Sequence, residues 1–236
     1  MAGHSHWAGI KHKKGRQDKQ RSKTFTKLSR EITVAAKLGS KDPDTNPRLR
    51  TAIQNAKQFN MPKDNIERAI KKSEISIDQN FENITYEALI PNKAMLIIES
   101  LTDNKNRSVS SIRTILQKNS VRMVPEGSVL HNFFRCGVIQ LDKTDLTDEK
   151  FLEIAAECGA KDCTSYSVHE ATTEMEDFYK VKSMLENHSS KILYSGLEWR
   201  AFNPVELNEA DKENVMDIIS QLDDDDDVQR VFTNLK

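Results

Sequence analysis

The apolar residues of this chain change their spacing at residues 73–80, and that change limits the folds open to it. Before it, Phe25, Leu28, Ile32, Ala35 and Ala36 recur at helical intervals, as do Leu49, Ile53, Ala56 and Phe59, and then Ile66, Ala69 and Ile70. Each set makes one apolar stripe on a helix. After it, short strand-like runs alternate with helical segments. A chain with one such switch is a helical unit followed by a mixed one, not a uniform bundle or sandwich.

The charge breaks at the same place. Met1–Lys72 carries 18 Lys and Arg against 6 Asp and Glu, and the remainder carries 17 against 30. The near-neutral total hides two oppositely charged parts. A basic module beside an acidic remainder points to a polyanion partner, nucleic acid first. The bases concentrate at Lys11, Lys13, Lys14, Arg16, Lys19, Arg21 and Lys23, with Asp18 as the one acid among them.

Several classes are excluded or disfavoured. No apolar run approaches the ~20 residues of a membrane span. The basic start lacks the apolar segment of a secretory signal. Cys136, Cys158 and Cys163 are odd in number and lack C-x-x-C spacing, which predicts reduced thiols in the cytoplasm. None of the G-x-x-x-x-G-K-[ST], G-x-S-x-G, H-E-x-x-H or G-x-G-x-x-G patterns occurs, so we expect no enzyme and no cofactor.

The patterns predict an α+β fold. Residues 1–17 read as an extended basic arm. A helix from Asp18 to Leu38 ends at Gly39. A second is capped by Thr45 or Asn46 with Pro47 in its first turn, and a third opens at Pro62. Together they form a three-helix bundle over residues 1–75, with 73–80 as a linker. Strands follow at Ile84–Leu89 and Met95–Leu101, a helix at 109–116, and strands at Val129–Phe134 and Val138–Leu141. Then come a helix at Asp148–Cys158, strands at Cys163–Val168 and Ala171–Met175, a helix at Phe178–Leu185 and a strand at Lys191–Trp199. The run from Val138 is β-α-β-β-α-β, the ferredoxin-like order. A last helix at Val215–Leu222 and strand at Val228–Phe232 can complete the earlier unit. We therefore expect a discontinuous α/β domain over 80–135 and 200–236, with a ferredoxin-like domain inserted at 136–199.

The candidate nucleic-acid contacts are Lys11, Lys13, Lys14, Arg16, Lys19, Lys23, Lys27 and Arg30, joined by Trp7 and His12. On a helical wheel Lys19, Lys23, Lys27, Arg30 and Lys37 fall opposite the apolar stripe, which predicts an exposed basic row. Trp7 has two readings: stacking on an exposed base, or anchoring the arm to the bundle. His4, His6 and His12 make a poor zinc set, lacking a fourth ligand. Removal of Met1 ahead of Ala2 leaves an amine with His4 third, a set that suits Cu(II) or Ni(II) in vitro. The run Thr102–Arg107 reads as a helix cap, with RNA contact by Asn104, Asn106 and Arg107 as the alternative. Asp223–Asp227 reads as a solvated turn, and the acidic remainder is expected to face away from phosphate.

Longer motifs carry a resemblance. They are Gly3-His4-Ser5-x-Trp7 with Ile10-Lys11-His12, Gln17-Asp18, Phe25-Thr26-Lys27-Leu28, Ala35-Ala36-Lys37-Leu38-Gly39, Asp42-Pro43-Asp44-x-Asn46-Pro47-Arg48-Leu49-Arg50 and Asn65-Ile66-Glu67-Arg68-Ala69-Ile70. Thr102-Asp103-Asn104-x-Asn106-Arg107, Gly127-Ser128-Val129 and Asp226-Asp227-Val228-Gln229 continue them. Together they closely resemble the YebC/PmpR family, which has mitochondrial translational activators among its relatives. The resemblance implies three domains, a bacterial cytoplasmic location without a transit peptide, and no catalytic activity. It implies either a DNA-binding transcriptional regulator or an RNA-binding, ribosome-associated factor that helps translation of difficult sequences. The chain departs from the family where Ala88–Lys93 replaces a glycine-rich tip, where Asn119-Ser120 replaces a glycine pair, and at His6, where many members carry Lys.

Overall fold

The computed structural model describes residues 17–75, 81–188 and 191–236. Helix α1 (Gln17–Leu38) packs against α2 (Pro47–Gln58) and α3 (Lys63–Ile75). Its stripe of Leu28, Ile32, Ala35 and Ala36 meets Leu49, Ala52, Ala56, Ile66 and Ala69 in one buried cluster. Of the two candidate caps for α2, Asn46 is used: its Oδ1 accepts from the Leu49 N–H at 3.0 Å. Its Nδ2 donates back to the carbonyls of Ala35 at 2.9 Å and Ser40 at 2.6 Å, so one side chain holds both sides of the turn. A Cβ on Gly39 would lie 2.7 Å from that Nδ2, so the glycine is there for close approach. Helix α3 runs through Ser73 to Ile75, three residues into the stretch read as linker.

The first sheet is antiparallel, in the order β3-β1-β2-β8, from β1 (Glu82–Ile90), β2 (Ala94–Thr102), β3 (Arg122–Val124) and β8 (Val228–Thr233). The C-terminal strand thus returns beside β2. Helices α4 (Lys105–Lys118) and α7 (Glu209–Asp223) cover one face, burying Ile112, Leu116, Val215, Ile218, Ile219 and Leu222 against Ala88, Leu96, Ile98 and Val231. At ~25 cal/mol per Å² of apolar surface, burying such a layer favours the folded state. The β1–β2 tip needs no glycine, because Asn92 takes the left-handed turn position at φ 56°.

The second sheet is ordered β5-β6-β4-β7, from β4 (Phe133–Leu141), β5 (Asp162–Ser165), β6 (His169–Thr173) and β7 (Ile192–Ala201). With α5 (Asp148–Glu157) after β4 and α6 (Phe178–Glu186) after β6, this is the ferredoxin-like arrangement. Phe151 and Phe178, both fully buried, seat the helices on the sheet. A Cβ on Gly137 would come within 2.5 Å of the Phe178 ring, so the central strand needs a bare backbone there.

One expected strand is absent from its place. Val129–Phe134 is not a strand: residues Leu130–Asn132 form a 3-10 turn, and Phe133 starts a single strand through Leu141. The cause is Glu87 on β1, only 2% exposed. Its carboxylate accepts from the N–H groups of Gly127 (2.6 Å), Val129 and Leu130 (3.0 Å). Amides that donate to a buried side chain are unavailable to a ladder. Gly127, at φ +83°, lets the chain make that wrap, which explains the Gly127-Ser128-Val129 motif.

Candidate nucleic-acid interface

Trp7, Lys11, His12, Lys13, Lys14 and Arg16 lie outside the described residues, as do Ala2, Gly3 and His4 of the proposed copper or nickel set. Lys19 stands on α1, with its side chain outside the description. The remaining candidates, Lys23, Lys27 and Arg30, fall one helical turn apart on one face of α1.

That face is not an exposed row. The turn between α7 and β8, Asp223–Asp227, lies directly against it. Lys23 Nζ donates to the Asp224 carbonyl at 2.8 Å and sits 3.1 Å from its carboxylate. Lys27 Nζ donates to the Asp223 carbonyl at 2.6 Å, with the Asp223 carboxylate 3.9 Å away. Arg30 Nη1 reaches the carbonyls of Leu101 at 2.8 Å and Asp226 at 2.6 Å, and the Asp227 carboxylate at 3.1 Å. The Arg30 guanidinium also lies 5.4 Å from the Phe81 ring centre. Lys27 is left 4% exposed.

Two expectations are corrected here. The helical wheel placed Lys27 and Arg30 opposite the bundle core, which holds, but a second unit buries that face. The acidic run is not a solvated turn facing away from the basic unit; it is the part of the acidic remainder that docks on it. Carbonyls at the end of α7 add their dipole to the carboxylates, so the turn offers cations a concentrated negative site.

Asp227 is the hub of the turn. Besides Arg30, it accepts from Arg107 Nε at 3.0 Å and Nη2 at 2.8 Å, and from Ser108 Oγ at 2.7 Å. These bonds hold its carboxyl below the usual range despite burial. Asp223 behaves in the opposite way: burial pushes its carboxyl up to about 6, and burial lowers the Lys27 ammonium. Each favours its neutral form over bulk water, so desolvation outweighs their mutual attraction.

The run Thr102–Arg107 resolves into structural roles. Asn104 caps α4 by accepting from the Arg107 N–H at 3.0 Å. Arg107 bridges Asp227 and Asp103, with about half its side chain still exposed. Asn106 is exposed. The paired motifs Asn104-x-Asn106-Arg107 and Asp226-Asp227 are thus two sides of one contact. Sequence reasoning missed that link; its available signal was an aspartate run and an arginine that both sit beside element ends.

Sequence reasoning also passed over α3, where Lys63, Arg68, Lys71 and Lys72 are exposed. The three thiols are unsuited to nucleophilic work: burial raises Cys136 to about 11 and also raises Cys158 and Cys163. Among the described residues, no helix is long and apolar enough to cross a membrane.

Fold and interface define a three-part α+β protein whose basic helical unit is clamped by its own acidic turn. The chain belongs to the TACO1/YebC family: the N-terminal domain of that family matches residues 5–75, and its second and third domains match residues 81–235. A probable transcriptional regulatory protein of Pelagibacter ubique is 49% identical over 236 residues, covering 100% of this chain and 98% of that one. A protein of the same description from Desulfosudis oleivorans is 44% identical, covering 99% of this chain and 96% of that one. The crystal structure of a conserved hypothetical protein from Aquifex aeolicus superposes with a TM-score of 0.87 at 40% identity, covering 98% of this chain and 97% of that chain.

Proposed function

We propose that this protein is a non-catalytic, nucleic-acid-binding regulator of gene expression acting in the cytoplasm, and specifically a DNA-binding transcriptional regulator. The observation that carries this reading is the distribution of charge. The acidic turn takes up Lys23, Lys27 and Arg30, while Lys11, Lys13, Lys14, Arg16 and Lys19 precede that contact in the chain. Five cations with one intervening acid bind a phosphate backbone by counterion release, whatever its sequence. Trp7 and His12, within the same segment, add a stacking surface and a titratable donor. The curated relatives' description as probable transcriptional regulatory proteins supports the choice of DNA.

A second reading has its own support. The face of α1 at Lys23, Lys27 and Arg30 is occupied by Asp223–Asp227, so these three described side chains are not free to read bases. Backbone binding without a reading helix suits structured RNA, and hence a ribosome-bound translation factor.

One experiment separates them. The full chain is sedimented with ribosomes at near-physiological salt, with excess duplex DNA as competitor. Displacement by the DNA, with log affinity for duplex falling against log salt at a slope near −4.5 for about five phosphates, supports the DNA reading. Retention on ribosomes, lost when Lys11, Lys13, Lys14 and Arg16 are neutralised, supports the translation reading. Binding to neither, or a slope between zero and about −1, overturns both.

A further inference from the structure

Helix α4 differs in charge from the unit that contains it. The stretch Asn104–Pro125 has five cations, Lys105, Arg107, Arg113, Lys118 and Arg122, and no acid. It lies in the part of the chain where acids outnumber bases 30 to 17. A solvated helix face ordinarily mixes both signs, so a helix cleared of acid within an acidic unit fits a polyanion.

The outer side chains of α4 make one row. Asn106, Ser110, Arg113 and Gln117 follow one another at intervals of four, three and four residues, which places them on one face over roughly 16 Å. All four are exposed. Among the described residues, none of their side chains has a hydrogen bond or ion pair. Ile112 and Leu116 anchor the other side of the helix in the core.

The row is turned away from the acidic helix beside it. Ser111 donates to the Asp225 carboxylate, and Asn119 Nδ2 donates to Gln221 Oε1 at 2.9 Å. These two mark the flank of α4 that faces α7 and the turn after it. At 100° per residue the row lies about 100–160° round from Ser111. Glu213 and Asp217, exposed on α7, stand on the Ser111 side. At the start of α4, Asp103 and Glu82 are paired with Arg107 at 2.8 Å and Lys105 at 3.4 Å.

The residue types decide what the row can recognise. Asn and Gln match the N6 and N7 edge of adenine, Arg matches O6 and N7 of guanine, and Ser serves as donor or acceptor. These edges lie in the major groove of B-form DNA, which admits an α-helix, whereas the deep, narrow groove of A-form RNA does not. With no carboxylate in the row, nothing repels the flanking phosphates. Lys118 and Arg122, exposed beyond its end, are placed for backbone contact. Lys23 of α1 and Ser111 of α4 bind adjacent residues of one turn, Asp224 and Asp225. The start of α1, which continues the basic segment before it, thus stands beside α4.

We propose that α4 is a base-reading helix that enters the major groove of duplex DNA with Asn106, Ser110, Arg113 and Gln117 toward the base edges. The proposal rests on the DNA reading above. It supplies from the second unit the reading face that α1 lacks at its docked positions.

The test uses the full chain and a random-sequence pool of short DNA duplexes, from which the wild type selects its tightest binders. We expect the selected duplexes to share a sequence, and one of them to shift the side-chain amide signals of Asn106 and Gln117 in ¹H–¹⁵N spectra. Arg113→Ala should weaken the selected duplex about tenfold or more and leave affinity for the random pool within about twofold. Replacing the guanines of the selected site one at a time by 7-deazaguanine removes N7 from the groove. At one position this should cost the wild type a similar factor and cost Arg113→Ala nothing further. Alanine at this exposed helical position does not weaken the helix, so unfolding cannot imitate the result. Duplex binding with the expected salt slope but no shared sequence and no amide shift overturns the role of α4 and leaves the DNA reading. Amide shifts with a structured RNA hairpin but not with duplex DNA overturn the major-groove assignment and the DNA reading together.

Discussion

Arg30 Nη1 lies 3.1 Å from Asp227 Oδ1, joining the middle of the first helix to the turn before the last strand. Asp227 is 4% exposed at its side chain and is shared with Arg107. Removing this carboxylate leaves two guanidiniums facing each other with nothing between them. Asp227→Ala should therefore destabilise the protein by about 2–4 kcal/mol, discounted for the half-exposed Arg107. Urea unfolding measures this; a loss under about 0.5 kcal/mol, the scale of a surface substitution, would show that the hub is not what joins the units.

The basic residues divide into two groups with opposite consequences. Lys27→Ala and Arg30→Ala break the docking of the acidic turn, so they should lower the melting temperature and leave the salt slope of nucleic-acid binding nearly unchanged. Neutralising Lys11, Lys13, Lys14 and Arg16 should flatten the slope by roughly 3–4 units and leave the melting temperature alone. The reverse pattern would return Lys27 and Arg30 to the binding surface.

Asp223 should titrate near 6 in the folded protein, seen as the carboxyl ¹³C shift against pH. The sign follows from its raised value. In the unfolded chain it ionises near the ordinary 3.8, so between these values the folded state holds the extra proton. Its contribution to stability is full below the unfolded value and is lost as pH rises through about 6. The stability of wild type relative to Asp223→Asn should thus decline from pH 4 to pH 7. A flat difference would mean Asp223 is ionised throughout.

Glu87 accepts three backbone N–H groups at a buried site, so Glu87→Ala strands three donors. A loss of about 2–5 kcal/mol is expected, with faster hydrogen exchange at Gly127, Val129 and Leu130. Unchanged exchange at those amides would refute the wrap.

Ser120 follows α4 in the left-handed region at φ 56°, a conformation that favours glycine. Ser120→Gly should stabilise by about 0.5–1 kcal/mol, because the side chain is strained there and buries nothing. Denaturant midpoints decide this, and a destabilised variant would show that the serine has a role the backbone does not reveal.

Much of the fold could be read along the chain. The period of Leu28, Ile32 and Ala35 located α1, the pair Asn46-Pro47 located the start of α2, and Asp148–Cys158 and Phe178–Leu185 located α5 and α6 within a residue or two. Such signals are local, set by side-chain spacing within one element. Less was legible around Val129. Its apolar run looks like a strand, but the amides there serve Glu87, 42 residues earlier in the chain. The short β3 was missed because three residues show no alternation.

What the sequence determined by itself, then, was the set of elements, their class and the concentration of base at the start, because helix and strand periods and net charge are properties of neighbouring residues. What only the tertiary structure decided was which charges are available. Lys23, Lys27 and Arg30 share one face of α1, and the fate of all three depends on a turn 196 to 201 residues away in the chain. Ion pairing depends on distance in space and on the water displaced when two surfaces meet, and neither is written in the spacing of the residues along one helix.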